Sequence, residues 1–195
     1  VMSSKTRIPD VKCPVCGAQS LTEQETKYDV DYFGPVLLTT IVCANCSFKH
    51  SDVISLNVRE PSSISASIEH REDLKMPVVR SSSATIQIPE LGVLITPGPV
   101  AEGFISNVEG VLERVEQATR MLLRDPEKGE QAGKFLQRIK EARDGSAKFT
   151  LIIKDPLGNS GIISKDERKV KRRKLTSREI EKLRAYQQTS LLTDR

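Results

Sequence analysis

The chain has 195 residues, a formal net charge of +4, 37% hydrophobic and 4% aromatic content, and no Trp. That length holds one medium domain or two small ones, with a core of Val, Ile and Leu rather than aromatic rings. No stretch approaches the roughly 20 apolar residues of a membrane-spanning helix, and no secretory signal precedes the body, so a cytoplasmic location is expected.

Residues 1–12 are polar and expected to be loose. Then come Cys13-Pro14-Val15-Cys16-Gly17 and, 26 residues on, Cys43-Ala44-Asn45-Cys46, which use all four cysteines of the chain. Two residues between paired cysteines let a tight turn aim both sulfurs at one point. Two such turns supply the corners of a four-thiolate zinc site. Pro14 fixes φ in the first turn and Gly17 can take positive φ after it. Lys12 and Lys49 flank the pairs and offset the charge of zinc held by four thiolates. Two disulfides would need an oxidising compartment. A thioredoxin-like motif needs one pair, not two. An iron–sulfur centre is the remaining alternative, and His50, four residues past Cys46, is expected beside the site. With Cys13, Cys16, Cys43 and Cys46 all ligating, no coordination position stays open, so one zinc would be structural.

Between the knuckles, 21–30 reads as an exposed strand, Asp31-Tyr32-Phe33-Gly34-Pro35 as a turn, and 36–42 as a second strand. The result is a zinc ribbon over 10–50. The period then becomes two. Val53, Ile54, Leu56 and Val58 lie in one strand. Ile64, Ala66 and Ile68 alternate with Ser63, Ser65 and Ser67 in the next, and 78–80, 84–88 and 92–95 give three more. Such a series predicts a β-barrel or β-sandwich. After Gly103, Phe104, Val108, Val111, Leu112, Val115, Ala118 and Leu122 follow helical spacing. Asp125-Pro126 breaks the run and is expected to open a second helix with Ala132, Phe135, Leu136 and Ile139 on one face, ending near Asp144-Gly145. An antiparallel helical hairpin over about 103–144 follows. Residues 148–154 return to the sheet, and Ile162-Ile163 is expected to pair back on them. The β-domain is set at 51–164 and the fold class at mixed α+β.

Residues 165–195 remain as a basic linker and a last helix, with Thr176 and Glu179 in capping-box register and Ile180, Leu183 and Tyr186 as a thin apolar stripe. The positive charge is concentrated here: 165–174 carries seven basic and two acidic residues. The run reads first as a solvated, mobile linker. The alternative is an RNA contact in which Lys171, Arg172, Arg173 and Lys174 meet phosphates, although no aromatic residues are interleaved for base stacking. Glu69-His70-Arg71-Glu72-Asp73 reads as a solvated strand end and Ser81-Ser82-Ser83 as a strand junction. No nucleophile elbow or phosphate-cradling loop occurs, and no catalytic residue is assigned.

Four ordered motifs give a resemblance. They are the two Cys pairs with Leu37-Leu38-Thr39-Thr40 between them, Arg80-Ser-Ser-Ser-Ala-Thr-Ile-Gln-Ile-Pro-Glu-Leu91, Asn107-Val108-Glu109-Gly110, and Phe149-Thr-Leu-Ile-Ile-Lys-Asp-Pro-Leu-Gly-Asn-Ser160. Together, over about 12–162, they resemble the ZPR-type zinc-finger family in its single-module, archaeal-like form. The resemblance implies a four-Cys zinc finger followed by a β-barrel-like domain with a helical hairpin. It also implies a non-enzymatic, chaperone-like role toward elongation factor 1-alpha. Lys154, Asn107 and Met76 depart from the family pattern. The hairpin and the ribbon tip near Tyr32-Phe33 are the expected partner-facing places.

Overall fold

Apolar alternation along the chain becomes three antiparallel sheets in the computed structural model, which describes residues 3–8, 10–31, 33–57, 59–97 and 101–189. Tyr32, Val58 and the side chain of Tyr186, all used in the sequence reading, lie outside the described set. The first sheet has the order β1 (Ser3–Arg7), β2 (Leu21–Val30), β3 (Gly34–Cys43), β4 (Lys49–Ser55). Strands β2 and β3 pair without a break from Leu21↔Cys43 to Val30↔Gly34, and Gly34 takes φ +95° at the tip. This register matters for the site. β2 begins just after the first Cys pair and β3 ends on Cys43, so a hairpin in register brings both pairs to the same end. Ser3–Arg7, expected to be loose, pairs along β2 as an edge strand; a polar strand is tolerated at an edge because neither of its faces must be buried.

The remaining strands form two sheets around one core. One sheet, in the order β12-β5-β10-β7-β8, uses β5 (Ser62–Ile68), β7 (Thr85–Ile88), β8 (Val93–Ile95), β10 (Phe149–Asp155) and β12 (Val170–Lys174). The other, β11-β6-β9, uses β6 (Pro77–Arg80), β9 (Phe104–Asn107) and β11 (Gly161–Ile162). Ile64, Ile86, Leu151 and Ile153 from the first sheet and Val78 and Ile162 from the second belong to a single buried cluster, the arrangement of a β-sandwich. Two helices share that core. α1 (Val108–Arg120) buries Val108, Val111, Leu112 and Val115, the spacing of one helical face, and Asn107 caps it by accepting the Gly110 N–H at 2.8 Å. α2 (Gly129–Arg143) buries Ala132, Ile139 and Ala142, and Gly145 follows it with φ +78°. The last helix, α3 (Ser177–Thr189), opens at Thr176, whose hydroxyl accepts the Glu179 N–H while the Glu179 carboxylate takes the Thr176 N–H.

Four local expectations change. Phe104 belongs to a strand, not to the first helix, because β9 pairs with β6 from Pro77↔Asn107 to Arg80↔Phe104. Asp125 does not cap α2; its Oδ1 accepts the N–H groups of Glu127 and Lys128 in a turn, and the helix starts three residues past Pro126. Ile162 pairs with Val78 of β6 rather than with β10. The basic segment Val170–Lys174 is a strand paired with β5 from Val170↔Ala66 to Lys174↔Ser62.

A smaller apolar cluster fastens the first sheet to the sandwich. It joins Phe33, Val36 and Val53 to Val79 and Ile163. Phe33 is only 5% exposed, and a Cβ on Gly161 would run into its ring, so glycine is required there. Asp52 of β4 accepts the Ser82 N–H at 2.7 Å and the Ser82 hydroxyl at 2.6 Å, and the Gly103 N–H donates to the Ser51 carbonyl at 2.8 Å.

Candidate metal centre

The two cysteine turns are built alike. In the first, Gly17 N–H donates to the Cys13 carbonyl and Cys13 N–H to the Ala18 carbonyl. In the second, Ser47 N–H donates to Cys43 and Cys43 N–H to Phe48. Gly17 sits at φ +71° and Ser47 at φ +60°, so the second turn puts a side-chain-bearing residue in the left-handed region that glycine occupies in the first. Leu21 with Ile8, Ile41 and Phe48 packs against Cys13 and Cys43, which are buried; Cys16 and Cys46 face solvent.

All four Sγ atoms lie within 4.8 Å of one another. Cys13 and Cys46 stand 3.7 Å apart and Cys16 and Cys43 3.6 Å apart. A tetrahedron with metal–sulfur bonds of about 2.3 Å has edges of about 3.8 Å, so the spacing suits one zinc ion without rearrangement. The electrostatics agree. The Ser20 hydroxyl, 3.1 Å from Cys43 Sγ, outweighs burial and holds that thiol down to about 6. The Asn45 side chain and the Ala18 backbone lower Cys16 as well. Cys46 has the Phe48 N–H to lower it, yet local desolvation among the packed sulfurs and hydrogen bonding with its three sulfur neighbours push it up to about 12. Packed thiolates repel, and a dication removes that repulsion. His50 lies in β4 opposite Ile41, outside the four-sulfur cluster. The donor set is closed: four thiolates leave no position for substrate or water.

Two comparisons with known proteins bear on the chain. Residues 72–192 match the ZPR1 jelly-roll domain. A ZPR1-like protein of Methanocaldococcus jannaschii is 49% identical over 176 residues, covering 88% of this chain and 87% of that relative. The chain belongs to the ZPR1 family. A ZPR1-like protein of Pyrococcus horikoshii is 43% identical, with 88% of this chain and 78% of the relative covered. The zinc finger chaperone zpr1 of Schizosaccharomyces pombe is 32% identical over 157 residues, 76% of this chain but 34% of that protein. The likeness to the two archaeal proteins extends over most of their length, as expected for the single-module form of the ZPR1 family. The jelly-roll match agrees with the sandwich core, and relatives described as zinc finger proteins agree with one zinc as the cofactor.

The four basic residues of the RNA reading sit on β12, an edge strand. Arg173 forks onto Glu179 at 2.7 and 2.8 Å, Lys174 meets Glu60 at 2.6 Å, and Arg172 donates to the Ser62 hydroxyl and the Ser160 carbonyl. Lys171 makes no ion pair among the described residues. The charges thus have work within the fold, and lysines and arginines on an edge also discourage a second chain from pairing there. Neither is the Glu69–Asp73 stretch merely solvated. Asp73 is buried and takes the Lys169 ammonium at 2.5 Å together with the N–H groups of Glu69 and His70. Burial pushes its carboxyl up, but those three donors outweigh it and hold the group below the usual carboxylate range.

Sequence reasoning missed a buried polar knot. Asp155, fully buried, accepts the hydroxyls of Ser81 at 2.8 Å, Ser83 at 2.9 Å and Ser160 at 2.6 Å, and the Leu157 N–H at 2.8 Å. Every donor aims inward at one carboxylate, which locks the β6–β7 junction onto the end of β10. The run Ser81-Ser82-Ser83 and the Asp155-Pro156 turn with Ser160 beyond it were the available signal.

Proposed function

We propose that this chain is a zinc-stabilised, non-enzymatic, chaperone-like module of the cytoplasm that binds elongation factor 1-alpha. Cys13, Cys16, Cys43 and Cys46 are its zinc ligands, and the metal's task is to organise the end of the ribbon far from the sandwich. The closed thiolate set supports a structural rather than catalytic metal, and free thiols suit a reducing compartment. The role toward the elongation factor rests on the family resemblance, and the fission-yeast relative's description as a chaperone agrees with a protein client.

One observation carries the reading of the surface. The turn Met121–Arg124 between α1 and α2 exposes three consecutive apolar side chains: Met121 is 78% exposed and Leu122 and Leu123 43% each. Beside it, Leu122, Ala132 and Phe135 line a groove of about 500 Å³ rimmed by Lys128, Lys134 and Arg138. Apolar contiguity with a charged rim is the pattern of a protein-binding site. We take α1 and α2 as an antiparallel hairpin presenting this turn, a reading supported by Arg143 of α2 reaching both Glu109 and Glu116 of α1. Phe33 is instead spent inside the molecule and is set aside as a partner anchor.

The test is binding of the zinc-loaded protein to the elongation factor 1-alpha of its own cell, with GDP, with GTP and without nucleotide. Nucleotide-dependent binding that Leu122→Glu weakens supports the proposal. No binding in any state by folded, zinc-loaded protein refutes the partner.

A further inference from the structure

We propose that Arg114, laid on the ring of Phe104, is the receptor for a carboxylate of a protein partner, with the apolar residue beside that carboxylate seated against Met121. This rests on the reading of a protein client above. The site is a cavity of about 390 Å³ distinct from the groove, lined by Arg80, Ile95, Phe104, Arg114, Val115 and Met121 among others.

The Arg114 guanidinium lies 4.3 Å from the Phe104 ring centroid. A guanidinium over a ring face is held there by cation–π attraction, which uses none of its N–H groups. Arg114 makes no hydrogen bond or ion pair with any described residue. The helix explains why. The positions one turn away are Gly110, Val111, Gln117 and Ala118, none of them acidic, and Glu113 points about 100° around the helix. Glu109 and Glu116 are held by Arg143.

The other charges at the cavity do not neutralise it. Arg80, 4% exposed, donates to the Glu102 and Ala84 carbonyls and lies in the fields of Asp52, Arg114 and Asp155, so it adds positive charge near Arg114 rather than pairing with it. Glu102 lines the cavity, and its carboxylate makes no ion pair with either arginine among the described residues. Residues 98–100, next along the chain, are Gly-Pro-Val and bring no charge. What remains is a guanidinium fork unpaired among the described residues, beside exposed thioether and aliphatic surface. A planar carboxylate matches the fork, and the apolar rim selects a hydrophobic residue next to it.

The probes are acetyl-Leu-Glu-Leu amide, acetyl-Leu-Gln-Leu amide and acetyl-Leu-Leu acid, titrated into the zinc-loaded full chain with the Arg114 Nε–H and the Met121 methyl as NMR reporters. At least one carboxylate peptide should bind about tenfold tighter than the Gln peptide and shift both reporters. Comparing the Glu peptide with the acid assigns the carboxylate to a side chain or to a chain terminus. Arg114→Gln should erase the preference, and Arg114→Lys should lose most of it because an ammonium lacks the fork. Both variants replace an exposed side chain and should unfold at the wild-type temperature. Failure of both carboxylate peptides to bind tighter than the Gln peptide, a preference that survives Arg114→Gln, or tighter binding of inorganic phosphate overturns the proposal. No elongation factor enters the experiment, so failure of that partner and failure of this subsite are told apart.

Discussion

The first sheet and the sandwich are held together by different physics. Around the cysteines, the buried apolar set is Cys13, Leu21 and Cys43, with Ile8, Ile41 and Phe48 partly covering it. The sandwich buries a continuous cluster that runs from β5 through α1 to β11. A handful of side chains cannot offset the conformational entropy of the cysteine end of four strands, at about 1–2 kcal/mol per residue for the backbone alone. Structural zinc sites are worth roughly 10–16 kcal/mol apparent at neutral pH, and that energy is folding energy. The lesson is a division of labour: metal organises the far end of the ribbon, hydrocarbon organises the rest, and Phe33 with Asp52 transmits between them.

The largest test of this division is Cys13→Ser, which removes a buried ligand. It should drop zinc below one equivalent by metal analysis and melt the first sheet, while leaving the sandwich with its own cooperative transition. Full metal retention would break the comparison from the zinc side. Leu112→Ala attacks the other side. Leu112 is completely buried in the sandwich core, and its truncation should cost about 2–5 kcal/mol by chemical denaturation with zinc content unchanged. Asp155→Asn sharpens the picture inside the sandwich. The amide turns an acceptor edge into a donor facing serine hydroxyls that already donate, at a cost of about 1–3 kcal/mol, or roughly 2–12 °C in melting temperature.

The smallest effect concerns pH. Arg173, the Thr176 N–H and the Thr176 hydroxyl outweigh burial and hold Glu179 far below the ordinary carboxylate range. A depressed folded value means that this stabilisation is complete above the unfolded value near 4.5 and is lost as pH falls below it. Asp73 follows the same sign through Lys169. Acid should therefore loosen α3 and β12 before the core, by about 1 kcal/mol or less per pair, and Glu179→Gln should remove its part of that slope.

Much of this division was legible in the residues. Two Cys pairs flanking a hairpin-length segment specify a four-sulfur cluster, and Ile64, Ala66 and Ile68 alternating with serines specify a half-buried strand. Other features need information that spacing does not carry. Phe104 and Val108 are four residues apart, so a strand feeding directly into a helix reads as one helix. Residues 170–174 look like a solvated linker because four of five are basic; their strand state depends on the free edge of β5, a hundred residues away. The Asp155 knot joins residues more than seventy positions apart, and its members are individually ordinary. Arg114 reads as one more charge on an exposed helix until β9 places Phe104 beneath it.

Amide hydrogen exchange on the zinc-loaded chain, compared with the same chain after chelation, tests the central claim most directly. The account predicts that β2, β3 and β4 lose protection on chelation while β5, β7, β10 and α1 keep theirs. Unchanged protection around Cys13 and Cys43, or equal loss across β10 and α1, would contradict it.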